Sequence, residues 1–162
     1  MGAVTIRPAE ARDVPRANAA LAALAAELGD AHPTTEDQLA GALFGPRPVA
    51  HAFLAEAAGE AGLAGIAMAS PLFSTKRGTA GLYVSDLWVA PGRRSGGLGR
   101  RLLAAVRDDG AARWGAGYLS LTAYADAPRS VAFYRRLGFG EATGTHHLTL
   151  EGAGLAALGD PE

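Results

Sequence analysis

The chain contains no cysteine, two methionines and two tryptophans, and aromatic residues make up 7% of it. Without cysteine there can be no disulfide, no thiolate nucleophile and no thiolate metal site. That fits a reducing compartment, and the protein is expected to be cytoplasmic. A formal net charge of -1 gives no general attraction to nucleic acid or to a membrane surface, so any anion-binding site must be local. No apolar run approaches the roughly 20 residues that span a bilayer. The first residues, MGAVTIRPAEARDV, lack the basic, apolar, small-residue order of a secretory leader. His32, His51, His146 and His147 show no ligand spacing with acidic residues, and no metal is expected. Nucleic acid and membrane are not expected partners.

What is present is an ordinary globular composition: 162 residues, 49% hydrophobic and 19% charged. That length is expected to form one domain with a substantial core, from about residue 3 to residue 150. VTIR reads as a first strand. Asp13 is expected to cap a helix with Leu21, Leu24 and Leu28 at helical spacing, ended by Gly29. Thr35 and Gln38 form a capping-box pattern for a second helix. HAFLAEA and GLAGIAMAS read as a hairpin and PLFSTKRGT as a polar loop. GLYVSDLWV is the most strand-like stretch of the chain. From Gly97 to about Trp114 the pattern is helical, with Leu98, Leu102, Leu103 and Val106 facing inward. YLSLTA reads as a strand, SVAFYRRLG as a helix ended by Gly138, and FGEATG with THHLTL as a closing pair of strands. The tail EGAGLAALGDPE, residues 151–162, is expected to fray. This order predicts an α/β fold with a mixed sheet.

The most informative segment is WVAPGRRSGGLGRRLLAAV, a strand, a glycine- and arginine-rich loop and a helix. A helix leaves its first N–H groups unpaired and is partially positive at that end, so such a loop can hold an anion. A Walker loop requires Gly-Lys-Ser/Thr, and here the letters are Gly-Leu-Gly. A dinucleotide fingerprint requires a third glycine where Leu102 stands. What remains is Arg94-x-x-Gly97-x-Gly99, with backbone donors from Ser95, Gly96, Gly97, Leu98 and Gly99 and full charges from Arg94 and Arg100.

This pattern resembles the pyrophosphate-binding signature of the GNAT N-acetyltransferases, Arg/Gln-x-x-Gly-x-Gly/Ala. Over about 140 residues the rest agrees: GLYVSDLWVAP is similar to that family's fourth strand, and APRSVAFYRRLGF to its later helix. LFGPRPVAHAFLAE, FST and GLYVSDLWV further resemble the branch of diamine, polyamine and thialysine acetyltransferases. The resemblance implies a single-domain fold whose mixed, mostly antiparallel sheet is splayed between its fourth and fifth strands. It implies acetyl-CoA as cosubstrate, held by the loop, by the backbone of Leu87, Trp88 and Val89 and by Phe133. The implied acceptor is the primary amine of a small molecule, reached by direct transfer, and a homodimer is expected. The contrasting function is a non-catalytic acyl-CoA-binding sensor or partner-binding module.

Tyr134 stands at the family's usual acid position, and a phenol with a pKa of about 10 is protonated at neutral pH. Two departures from the pattern matter. The polyamine branch has Glu-Asp where this chain has Ser85-Asp86, leaving Asp86 as the acidic residue for substrate or proton. The family often has Asn where Ala127 stands, so Asp126 or Ser130 is expected to take over as helix cap.

Overall fold

A computed structural model of the chain describes residues 2–159. They divide into two compact units, one running to residue 123 and the other from residue 124 onward.

The first unit is a five-stranded sheet in the order β1-β2-β3-β4-β5, open at both edges: β1 (Val4–Pro8), β2 (His51–Ala57), β3 (Gly65–Ser74), β4 (Thr79–Val89) and β5 (Leu119–Ser120). The first four pair antiparallel and β5 joins β4 in parallel, giving the mixed α/β sheet expected from the letters. The helices are α1 (Val14–Leu28), α2 (Glu36–Phe44) and α3 (Leu98–Trp114). Gly29 ends α1 at φ 77°. The Thr35 hydroxyl accepts from the Gln38 N–H at 3.2 Å, and the Gln38 side chain accepts from the Thr35 N–H at 2.9 Å, which makes the capping box complete.

Alternation along the strands divides the core. Leu54 and Ile66 point toward Leu21, Leu39 and Leu43 of α1 and α2, with Met68 and Trp88 packed alongside. On the opposite face Leu82 meets α3, where Leu98, Leu102, Leu103 and Val106 are all buried as their spacing predicts. The approach is close: a methyl group on Gly110 of α3 would lie 2.3 Å from Leu82 Cδ1.

The polar loop expected at PLFSTKRGT is mostly strand. Pro71 to Ser74 pair with Leu82 to Thr79, and the turn is confined to residues 75–78. Proline is tolerated there because the β2 ladder has already ended at Ala69 and demands no donor from residue 71. Asp13 precedes α1 but makes no cap bond to it. Its carboxylate instead accepts from the Glu10 N–H and from Arg7, because a nearby guanidinium outcompetes a backbone donor.

The second unit contains α4 (Pro128–Arg136) and α5 (Gly152–Ala156). Gly138, at φ 92°, follows α4 as expected. The closing strands expected in residues 139–150 are absent from the described structure. Only Leu148 and Leu150 supply large aliphatic side chains at alternate positions, and both are exposed, so no buried face drives strand pairing. His146 and His147 therefore lie in irregular chain rather than in a strand. The tail expected to fray forms the short helix α5, and its last residues, 160–162, lie outside the described residues. Neither Asp126 nor Ser130 replaces the missing asparagine as a cap: Ala127 precedes α4 with no side-chain bond to the helix.

Candidate active site

The strand β4 is irregular where the sequence departs from its nearest pattern. Met68 opposes Asp86 and Ala69 opposes Val84, so Ser85 is the extra residue of a β-bulge. The Ser85 hydroxyl lies 3.4 Å from the Met68 carbonyl. The parallel ladder to β5 contains only Leu82↔Leu119 and Tyr83↔Ser120. Below the bulge β4 continues to Val89 with no β5 partner, because β5 is only two residues long. The bulge also sets side-chain direction. Asp86 and Trp88 share the α1–α2 face with Met68, while Leu87 falls on the α3 face with Ala67. Asp86 is half-buried, and its carboxylate forms no hydrogen bond or ion pair with any described residue.

The glycine loop follows directly. Pro91–Arg93 form a short three-ten turn, and α3 starts at Leu98 with Gly97 as its N-cap at φ 74°. Ser95 also has positive φ, 68°, the one such non-glycine among the described residues. No side chain caps α3, and the N–H groups of residues 95–100 have no backbone or side-chain acceptor among the described residues. Six successive donors thus precede or begin a 17-residue helix at its electropositive end. A Cβ at Gly97 would meet nothing within 4 Å.

The arginines of this segment do not act as one cationic cluster. Arg94 donates from Nε to the Val89 carbonyl at 2.8 Å and from Nη2 to Glu27 at 2.5 Å. Arg93 is paired with Glu60, and Arg101 donates to the Val4 carbonyl at 2.8 Å. Arg100 alone of the four pairs with no described residue. Of the two arginines expected to supply full charges, Arg100 is thus unpaired and Arg94 is held by Glu27 and the Val89 carbonyl.

Sequence reasoning missed Glu27, in the last turn of α1. Its carboxylate accepts from Trp88 Nε1 at 3.0 Å as well as from Arg94. Burial works against its charge, but the bonds from Trp88 and Arg94 prevail and hold its pKa below the ordinary value. Glu27 is 67 residues from Arg94 in the chain, and no local pattern marks it.

In the second unit, Tyr134 lies on α4, edge-on to Phe133 at 5.2 Å and to Phe139 at 5.5 Å between ring centroids. Burial raises its phenol above the ordinary value. A cavity in the first unit lies elsewhere. It has a volume of about 250 Å³ and is lined by Leu43, Phe44, Val49, His51 and Trp114, and neither Glu27, nor residues 85–89 of β4, nor the glycine loop lines it. Trp114 ends α3 and Leu98 begins it, a separation of about 25 Å along the helix. Among the described residues no group of three or more His, Asp or Glu is placed to hold a metal ion.

An open α/β sheet with a bulged fourth strand feeding an uncapped, glycine-led helix is what the resemblance to the acyl-CoA-dependent transferases implies. The profile of the acetyltransferase (GNAT) family matches residues 18–139, and the chain belongs to that family. It is a GNAT-type N-acetyltransferase, and the family's fold uses acetyl-CoA. Similar solved structures include an integron cassette protein from the mobile metagenome of V. cholerae, at 21% identity and TM-score 0.77 over 98% of each chain. An aminoglycoside N-acetyltransferase in complex with CoA matches at 18% identity and TM-score 0.73, covering 93% of this chain and 96% of that one. The ribosomal-protein-alanine N-acetyltransferase of Brucella melitensis biovar Abortus 2308 matches at 22% identity and TM-score 0.71, covering 91% of this chain and all of the other. No curated protein is significantly similar in sequence. Six successive amides without an acceptor are the kind of donor set that the diphosphate of such a cosubstrate would take.

Proposed function

We propose that the protein transfers an acetyl group from acetyl-CoA directly to a primary amine of a small, cationic molecule such as a diamine, a polyamine or an amino acid-like amine. The observation that carries this reading is the row of unpartnered N–H groups from residue 95 to residue 100, directly after a β4 segment that has lost its β5 neighbour.

The bound cosubstrate supplies an acyl group activated as a thioester. The backbone donors of Ser95, Gly96, Gly97, Leu98 and Gly99, with the charge of Arg100, hold its phosphates. The unpaired edge of β4 at Leu87, Trp88 and Val89 accepts its extended arm as an added strand, and Phe133 packs against it. Asp86 attracts the ammonium form of the acceptor and takes up its proton, directly or through water; a half-buried carboxylate without a partner is free to do so. Tyr134 gives a proton to the departing thiolate. Burial raises its pKa, so it stays protonated at neutral pH and has a proton to give.

Ser85 occupies the bulge position where the polyamine branch has a glutamate, which leaves Asp86 as the one carboxylate on β4. One carboxylate suits an acceptor with a single nearby ammonium better than a long polycation. The structural neighbours named above include enzymes for an aminoglycoside and for a ribosomal-protein alanine, so both belong in the test panel beside diamines and polyamines.

The test is thiol release from acetyl-CoA across that panel, together with calorimetric binding of CoA. At least one amine is expected to release thiol, and Tyr134→Phe is expected to bind CoA normally while turning over at least about tenfold more slowly. Unchanged turnover removes Tyr134 from the chemistry. CoA binding without thiol release for any amine makes the chain an acyl-CoA sensor instead.

A further inference from the structure

We propose that Glu27 is a positioning residue for the cosubstrate-binding loop: anchored on Trp88, it orients the Arg94 guanidinium and so presets the loop in its anion-binding shape. This inference rests on the proposed use of residues 94–100 to bind CoA.

Three bonds carry it. Glu27 Oε1 accepts from Trp88 Nε1 at 3.0 Å, Glu27 Oε2 accepts from Arg94 Nη2 at 2.5 Å, and Arg94 Nε donates to the Val89 carbonyl at 2.8 Å. The guanidinium is thus fixed between the last turn of α1 and the last residue of β4. Arg94 is the residue immediately before the six unpartnered amides. The segment that follows contains three glycines and would otherwise sample many backbone conformations. An ordered start limits that freedom before the ligand arrives, which lowers the entropic cost of binding.

The pair contributes little to folding. The Arg94 and Glu27 side chains are 46% and 38% exposed, and ion pairs this open contribute little to stability. Two of the five guanidinium N–H donors are engaged, leaving three for an incoming phosphate. Opposing this, Glu27 places a negative charge near the anion site. If repulsion dominated, removing the carboxylate would tighten binding, so the sign of the effect decides between the two.

The experiment is a double-mutant cycle on CoA affinity, read by calorimetry. Glu27→Ala is expected to raise the Kd about five- to tenfold, and Glu27→Gln, which keeps an acceptor oxygen for one partner and puts an NH2 donor in place of the other, by about threefold. In an Arg94→Ala background, Glu27→Ala is expected to change the Kd by less than about twofold, a coupling that a merely structural role would not produce. The KM for the acceptor amine should not move. A Kd within about twofold of wild type for Glu27→Ala, tighter binding, or the same loss in the Arg94→Ala background overturns the proposal. Should Glu27→Ala not fold, Glu27→Asp serves: it keeps the charge but is one methylene too short, and an unchanged Kd overturns the proposal equally. A wild-type protein that binds no CoA overturns the acetyltransferase reading itself, and this inference with it.

Discussion

Asp13 and Asp86 sit on the same sheet unit and are treated in opposite ways. Asp13 is 2% exposed and fully bonded: it accepts from Arg7 Nη1 at 2.6 Å, from Arg7 Nη2 at 2.8 Å and from the Glu10 N–H at 2.8 Å. Arg7 also forks onto Glu56 at 2.8 and 2.9 Å, and Arg16 joins Glu56 at 2.6 Å. The Arg7 bonds overcome the burial of Asp13 and hold its pKa at about 2. Asp86, at the bulge of β4, is half-buried with no partner. A carboxylate removed from water without compensation is costly, and folds retain one chiefly where a ligand completes it. The first residue is therefore structural, and the second is available for chemistry.

Removing Asp13 should break that contrast most visibly. Asp13→Ala leaves the Arg7 guanidinium half-satisfied in a largely buried place, and the expected loss is about 3 kcal/mol of folding stability, seen as a lower denaturant midpoint with an unchanged slope. Asp86→Asn is expected to raise the acceptor KM roughly tenfold, equivalent to about 1.4 kcal/mol, without altering CoA affinity. A wild-type KM would show that Asp86 meets no substrate charge.

Acid sharpens the comparison. The folded pKa of Asp13 is lowered from 3.8 to about 2, so its contribution to stability is fully present above pH 3.8 and is lost as the pH falls toward 2. The stability difference between wild type and Asp13→Ala should therefore shrink over that interval. Gly97→Ala is a smaller perturbation. Nothing obstructs the new methyl, but φ of 74° is unfavourable for an L-residue, and about 1 kcal/mol of stability should be lost. The smallest effect expected is that of Asp86→Asn on folding, within about 0.5 kcal/mol in the same denaturant titration. A larger loss would place Asp86 with Asp13 among the structural residues.

Much of this was legible in the letters where the signal is local. The Thr35–Gln38 capping box, the inward stripe of α3 and the stop at Gly29 depend on residues a few positions apart, and each appears where its spacing puts it. The Arg94-x-x-Gly97-x-Gly99 loop is of the same kind, since helix start and glycine spacing suffice to predict unpaired donors. The errors share an opposite cause. Alternation in THHLTL reads as a strand, but a strand needs a neighbour and a face to bury, and Leu148 and Leu150 have neither. PLFS reads as a loop, yet β4 offers it a ladder.

By itself the sequence determined most of the helices and strands, the glycine loop before α3 and the family, because these follow from backbone geometry and periodicity over short spans. Tertiary structure alone decided that Ser85 is the bulged residue, that Asp86 is left unpaired while Asp13 is enclosed, and that Arg94 belongs to Glu27. Those outcomes depend on which distant charge or strand arrives first within hydrogen-bonding reach, and such proximity is created only when the chain closes on itself.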